Sequence, residues 1–115
     1  MGFNILETAA IIELLENFIG RRRPPVELRT KLDLNYKIDN QSIIIFEKRV
    51  VWNNPEKYIE SPIAKTTFIR NKGHWKIFWL RANLKWYNYE PMPTVKKLEK
   101  FIETVDQDKC GCFWG

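Results

Sequence analysis

Apolar residues near the start of the chain recur three and four apart: Leu6, Ala10, Leu14 and Phe18, with Ile11, Leu15 and Ile19 beside them. That spacing predicts an amphipathic helix over residues 5–19, with Glu13, Glu16 and Asn17 on its wet side. Asn4 and Glu7 stand at capping-box separation before it, and Gly20 is the expected C-cap. The two prolines of RRRPP, Arg21 to Pro25, then forbid continuation.

From Lys31 the period changes to two. Leu32, Leu34, Tyr36 and Ile38 alternate with Lys31, Asp33, Asn35 and Lys37, the pattern of a strand with one wet face. Asp39-Asn40 suits a tight hairpin turn, and Ile43 to Val51 is almost continuously β-branched or aromatic, as in a strand buried on both faces. A loop containing Asn53, Asn54, Pro55 and Pro62 is expected next. Ile63 to Arg70 and His74 to Arg81 predict a second hairpin around Asn71-Lys72-Gly73, with Lys85 to Tyr89 a fifth strand after a turn near Ala82-Asn83. Thr94 is placed to cap a second helix whose apolar stripe is Val95, Leu98, Phe101, Ile102 and Val105. Helix, four or five antiparallel strands, helix: the order predicts an α+β fold in one domain over residues 1–115.

The run HWKIFWLRANLKWYNYEP, His74 to Pro91, decides what such a sheet leaves exposed. In a strand starting at His74, Trp75, Ile77 and Trp79 share one face, and His74, Lys76, Phe78 and Leu80 the other. Both faces are therefore largely apolar. Five strands at ~4.8 Å span roughly 20 Å and a helix is about 10 Å across, so two helices cover one face only. Either the sheet curls on itself, or the bare face pairs with a second copy, or it stays open as a binding surface. The face bearing Trp75, Ile77 and Trp79 is the one on which function turns.

Charge adds a direction. The net charge is +5, and residues 61–90 carry six cations against the single acid Glu90. Aromatic side chains flanked by cations are how single-strand binders hold bases, each stacked base contributing ~1–3 kcal/mol. Arg70, Lys72, Trp75, Lys76, Trp79, Arg81 and Lys85 are the candidate ligand-binding residues. RRRPP suits phosphate contacts, and equally suits the C-terminal dipole of the first helix.

Catalytic and metal chemistry find less support. His74 is the only histidine, which excludes multi-histidine metal sites and leaves no base for a serine or cysteine nucleophile. Cys110 and Cys112 offer two soft ligands where a tetrahedral zinc site wants four. Asp33 and Glu47 on neighbouring strands, with Lys48 and Arg49 after them, loosely match metal-dependent nucleases, although the acid-x-lysine step is acid-x-arginine here. Cross-strand ion pairing explains the same residues. No glycine-rich phosphate loop occurs, so no cofactor, no resident metal and no catalytic residue is assigned. The opening segment is acidic where a signal peptide is basic and then apolar, and no run of ~18 apolar residues occurs, so a cytoplasmic protein without a membrane partner is expected.

RRRPP with Leu32-Asp33-Leu34, WNNP with Pro62-Ile63-Ala64-Lys65, the block WKIFWLRANLKW to Pro91, and the tail GCFWG occur in this order. Over about residues 20–115 the chain thereby resembles a bacterial family of uncharacterised proteins, domain of unknown function 3024. The resemblance implies a compact bacterial protein in which helix, sheet and tail form one unit, and it implies no activity. Cys110 lies outside the tail motif, which argues against a paired-cysteine site. The leading expectation is a non-enzymatic binding module whose ligand is single-stranded nucleic acid. The alternatives are a homodimeric or partner-binding module using the aromatic face, and then a metal-dependent nuclease using Asp33 and Glu47.

Overall fold

The computed structural model describes residues 2–114. Helix α1 spans Ile5–Arg22 and starts on the expected capping box: Asn4 Oδ1 accepts from the Glu7 amide at 2.8 Å, and Glu7 Oε1 accepts from the Asn4 amide at 3.0 Å. It runs through Gly20 rather than stopping there. Its cap is Arg23, whose ψ of 154° is the extended conformation imposed on a residue preceding proline. Proline, not glycine, ends this helix. One turn of 3-10 helix, Val26–Leu28, leads into the sheet.

Strands β1 (Leu32–Asp39) and β2 (Ser42–Val51) form the first hairpin, closed by Asn40 and Gln41 with Asn40 at φ 56°. β3 departs from the expected loop: it spans Asn54–Ile69 and includes both Pro55 and Pro62. A register shift makes this possible. Ile45 pairs with Ala64 and Phe46 with Pro62, so Ile63 is a bulge residue, and Pro62 sits where the ladder is already irregular. β4 (His74–Leu80) follows the expected turn, with Gly73 at φ 64°. β5 (Trp86–Asn88) and β6 (Thr94–Val95) lie end to end along the outer edge of β4. Among the described residues the antiparallel sheet therefore has six strands, in the order β1-β2-β3-β4-β5, with β6 also paired to β4.

Thr94 does not cap the second helix. With Val95 it pairs with Lys76 and Trp75, and α2 spans Leu98–Gln107 behind Lys97, which makes no side-chain cap. Val95 belongs to the sheet edge and Leu98, Phe101, Ile102 and Val105 to the buried stripe of the helix.

Both helices pack on the same side of the sheet. Ile11, Leu15, Phe18 and Ile19 of α1 and the α2 stripe join Leu34, Ile43, Ile45, Ala64, Trp75 and Ile77 in one core. The tail closes that core's end. Asp108 carries φ 43° and its carboxylate accepts from the Phe113 amide at 3.1 Å and the Trp114 amide at 2.9 Å. Phe113 packs against Tyr89, ring centres 4.9 Å apart. The last residue of the tail motif, Gly115, lies outside the described residues.

Candidate nucleic-acid interface

Register assigns every strand residue to a face. Leu34, Tyr36 and Ile38 of β1, Ile43 and Ile45 of β2, Ala64, Thr66 and Phe68 of β3, and Trp75, Ile77 and Trp79 of β4 stand in line beneath the helices. The face that holds the tryptophans of β4 is thus closed by the chain itself. Trp75 is 8% exposed and flanked by Phe3 at 5.6 Å and Phe68 at 4.9 Å, centre to centre. Trp79 packs half-buried on the same core.

The opposite face has no helix over it. It carries Asp33, Asn35, Lys37 and Asp39 of β1; Ser42, Ile44, Phe46 and Lys48 of β2; Tyr58, Glu60, Lys65 and Thr67 of β3; and Lys76, Phe78 and Leu80 of β4, with Trp86 of β5. Phe78 and Trp86 are half-buried and lie outside the main core, whereas Phe46 is buried. Cations lie over these rings. Lys65 Nζ is 5.5 Å from the centre of Phe78 and 5.9 Å from that of Trp86; Lys37 Nζ is 5.1 Å from Phe46 and Lys48 Nζ 4.4 Å from Tyr58. Such contacts hold an ammonium at the ring while leaving its remaining protons free to donate. Lys37 is also paired to Glu60 at 2.7 Å. Among the described residues Lys48, Lys65 and Lys76 have no carboxylate partner.

The seven residues chosen from the sequence do not form one surface. Trp75 and Trp79 belong to the helix side, and Trp75 is buried there against Phe3 and Phe68. Arg70 holds the start of α1, donating to both oxygens of Glu7 at 3.1 Å. That ion pair, with the Asn4 amide, keeps the Glu7 carboxyl below its ordinary value. Lys72 is exposed in the β3–β4 turn, and Lys85 in the loop before β5. Arg81 lies 5.5 Å from the centre of Trp79 and 4.6 Å from that of Tyr87, at the sheet's edge. Lys76 alone stands on the open face. Phe46, Lys65, Phe78 and Trp86, which share the uncovered face with Lys76, are not singled out by the sequence because β4 is apolar on both sides. The period-two partners of Lys76 were the available signal.

The carboxylates proposed for a metal are separated. Leu34, not Asp33, faces Glu47 across the ladder, so alternation sends the two side chains to opposite faces. Burial opposes ionisation of Asp33, but two hydrogen bonds from Arg23, at 3.1 and 2.6 Å, and one from the Leu34 amide outweigh it and hold the carboxyl below its ordinary value. Glu47 pairs with Arg49 at 2.8 Å. Among the described residues no three His, Cys, Asp or Glu side chains gather as a metal site. Burial pushes the Cys112 thiol up, towards its protonated, unreactive form.

The family model described as "Domain of unknown function (DUF3024)" matches residues 3–115. The chain belongs to this family. The match takes in α1 as well as the sheet, α2 and the tail, so it extends beyond the region that the RRRPP, WNNP and GCFWG motifs mark. No curated protein and no solved structure matches this DUF3024 chain. No helix among its described residues is long and apolar enough to cross a membrane.

Proposed function

We propose that this DUF3024 chain is a non-enzymatic binding module that holds single-stranded nucleic acid on the open face of its sheet. The observation that carries the reading is the row Lys76, Phe78, Lys65 and Trp86: rings at half-exposed positions with the Lys65 ammonium near both, Lys76 exposed on the same face, and neither lysine ion-paired among the described residues. Bases stack on rings whatever their identity, and phosphates meet the lysines, so recognition on such a face is tolerant of sequence and sensitive to salt. A cytoplasmic, bacterial setting goes with this reading.

A second copy is the alternative occupant, favoured by the apolar side chains Ile44, Phe78 and Leu80 on the same face. Two-fold pairing would set Lys65 and Lys76 of one copy near those of the other, an arrangement that opposes association. A polyanion relieves that repulsion.

Titration with oligothymidylate at low salt tests the reading. Binding quenches tryptophan fluorescence in the wild type, and Trp86→Phe removes the share of the quenching that Trp86 contributes. A dimer by light scattering that neither binds nor responds to the oligonucleotide would support the second copy instead.

A further inference from the structure

Beyond Arg49, the last β2 residue paired to β1, strands β2 and β3 continue together as a two-stranded arm. The arm ends in an aromatic that packing does not explain. Trp52 is 92% exposed, and Tyr58 and Ile59 are 48% and 53% exposed. Trp52, Tyr58, Val50 and Val51, with Thr30 and Lys31, line a hollow of ≈ 570 Å³. Its wall is fixed by the Val50 amide, which donates to the Lys31 carbonyl at 3.0 Å.

Val50 and Tyr58 are direct partners across the ladder, two and four residues beyond Lys48 and Phe46 on their strand. Alternation places Val50 and Tyr58 on the same open face, further along β2 and β3, and Trp52 follows them in the turn at the arm's tip. Lys48 lies over Tyr58 at 4.4 Å, Lys31 lines the hollow, and no carboxylate does. A ligand that satisfies these walls is flat and aromatic with a negative charge attached.

We infer that this hollow takes one nucleobase, stacked against the indole of Trp52, with the flanking phosphates met by Lys31 and Lys48. The inference rests on the nucleic-acid reading of the open face and extends it to a named base site at the arm. A strand bound there runs along β2 and β3 from the Lys65 row towards the tip.

The test is fluorescence anisotropy of a dye-labelled oligothymidylate against wild type, Trp52→Ala, Lys48→Ala and Phe78→Ala. Because Trp52 is exposed, its replacement leaves the melting temperature unchanged. Loss of one stacked base weakens binding by about 5- to 150-fold, with the dependence of affinity on salt unaltered. Lys48→Ala instead lowers the slope of log affinity against log salt by about 0.7. A strand of abasic spacers binds wild type and Trp52→Ala alike. If Phe78→Ala weakens binding and Trp52→Ala does not, the base site is wrong and the open-face reading stands. Absence of any binding by the wild type overturns both. Phosphatidylglycerol vesicles that shift Trp52 emission in a protein deaf to oligonucleotide would assign the arm to a lipid surface and overturn the inference.

Discussion

The guanidinium of Arg22 lies 4.1 Å from the ring centre of Trp114. Its Nη1 also donates to Asp106 Oδ1 at 2.6 Å, and the indole N–H of Trp114 donates to the Val105 carbonyl at 2.8 Å. One arginine from RRRPP thus joins the end of α1, the end of α2 and the tail. Trp114→Ala is expected to destabilise by about 2–3 kcal/mol, less than a fully enclosed tryptophan. Arg22→Ala costs about 1 kcal/mol, and the double variant falls short of the sum by roughly 0.5–2 kcal/mol, as for a cation over a partly buried ring. Urea denaturation of the four proteins reads these differences.

Neighbouring residues of β4 give opposite outcomes. Trp75→Ala, beneath the helix layer, costs about 3–5 kcal/mol, whereas Lys76→Ala on the open face stays within about 0.5 kcal/mol. Equal effects would mean that the sheet is covered on both sides.

That contrast also marks how far the sequence could be read. The helical period of α1, the Asn4–Glu7 cap, the β1 alternation and the Gly73 turn are local properties and stand where expected, whereas Leu6 and Ala10 of the expected stripe stay exposed and the first turn is Asn40-Gln41, one residue beyond Asp39-Asn40. The misplaced boundaries share a cause. Gly20, Pro62 and Thr94 carry strong local preferences, and each is overruled by a non-local partner or neighbour: Pro24 in the chain, the bulge opposite Phe46, and the Lys76 edge of β4. The candidate site was legible in kind, as aromatics with cations, and illegible in place. In β4 both faces are apolar, so alternation divides the residues without saying which half the helices cover.

Alkaline stability follows from two tyrosines. Burial, aided by the Glu16 carboxylate, pushes Tyr36 up to about 12; burial and the neighbouring Cys110 thiol push Tyr89 up to about 12. The unfolded chain releases these protons near 10 while the folded protein retains them. Their contribution to stability is therefore complete below pH 10 and is lost as pH rises towards about 12. Melting temperatures across that window fall steeply for the wild type and less so for Tyr36→Phe.

At acid pH the sign reverses. Glu7 and Asp33 both sit below their ordinary values, so their contribution is present above those values and is lost as pH falls through the lowered ones. Asp33→Asn removes part of this acid dependence. A melting curve from pH 5 downwards, shallower in the variant, checks it.

On the proposed reading, the open face binds a polyanionic single strand through Lys65 and Lys76. Anisotropy of a labelled oligothymidylate, measured at two salt concentrations against wild type and Lys65→Glu/Lys76→Glu, tests it most directly. Wild type is expected to bind, more weakly as salt rises, and the folded double variant not to bind. Equal binding by both proteins, or none by the wild type at low salt, would contradict it.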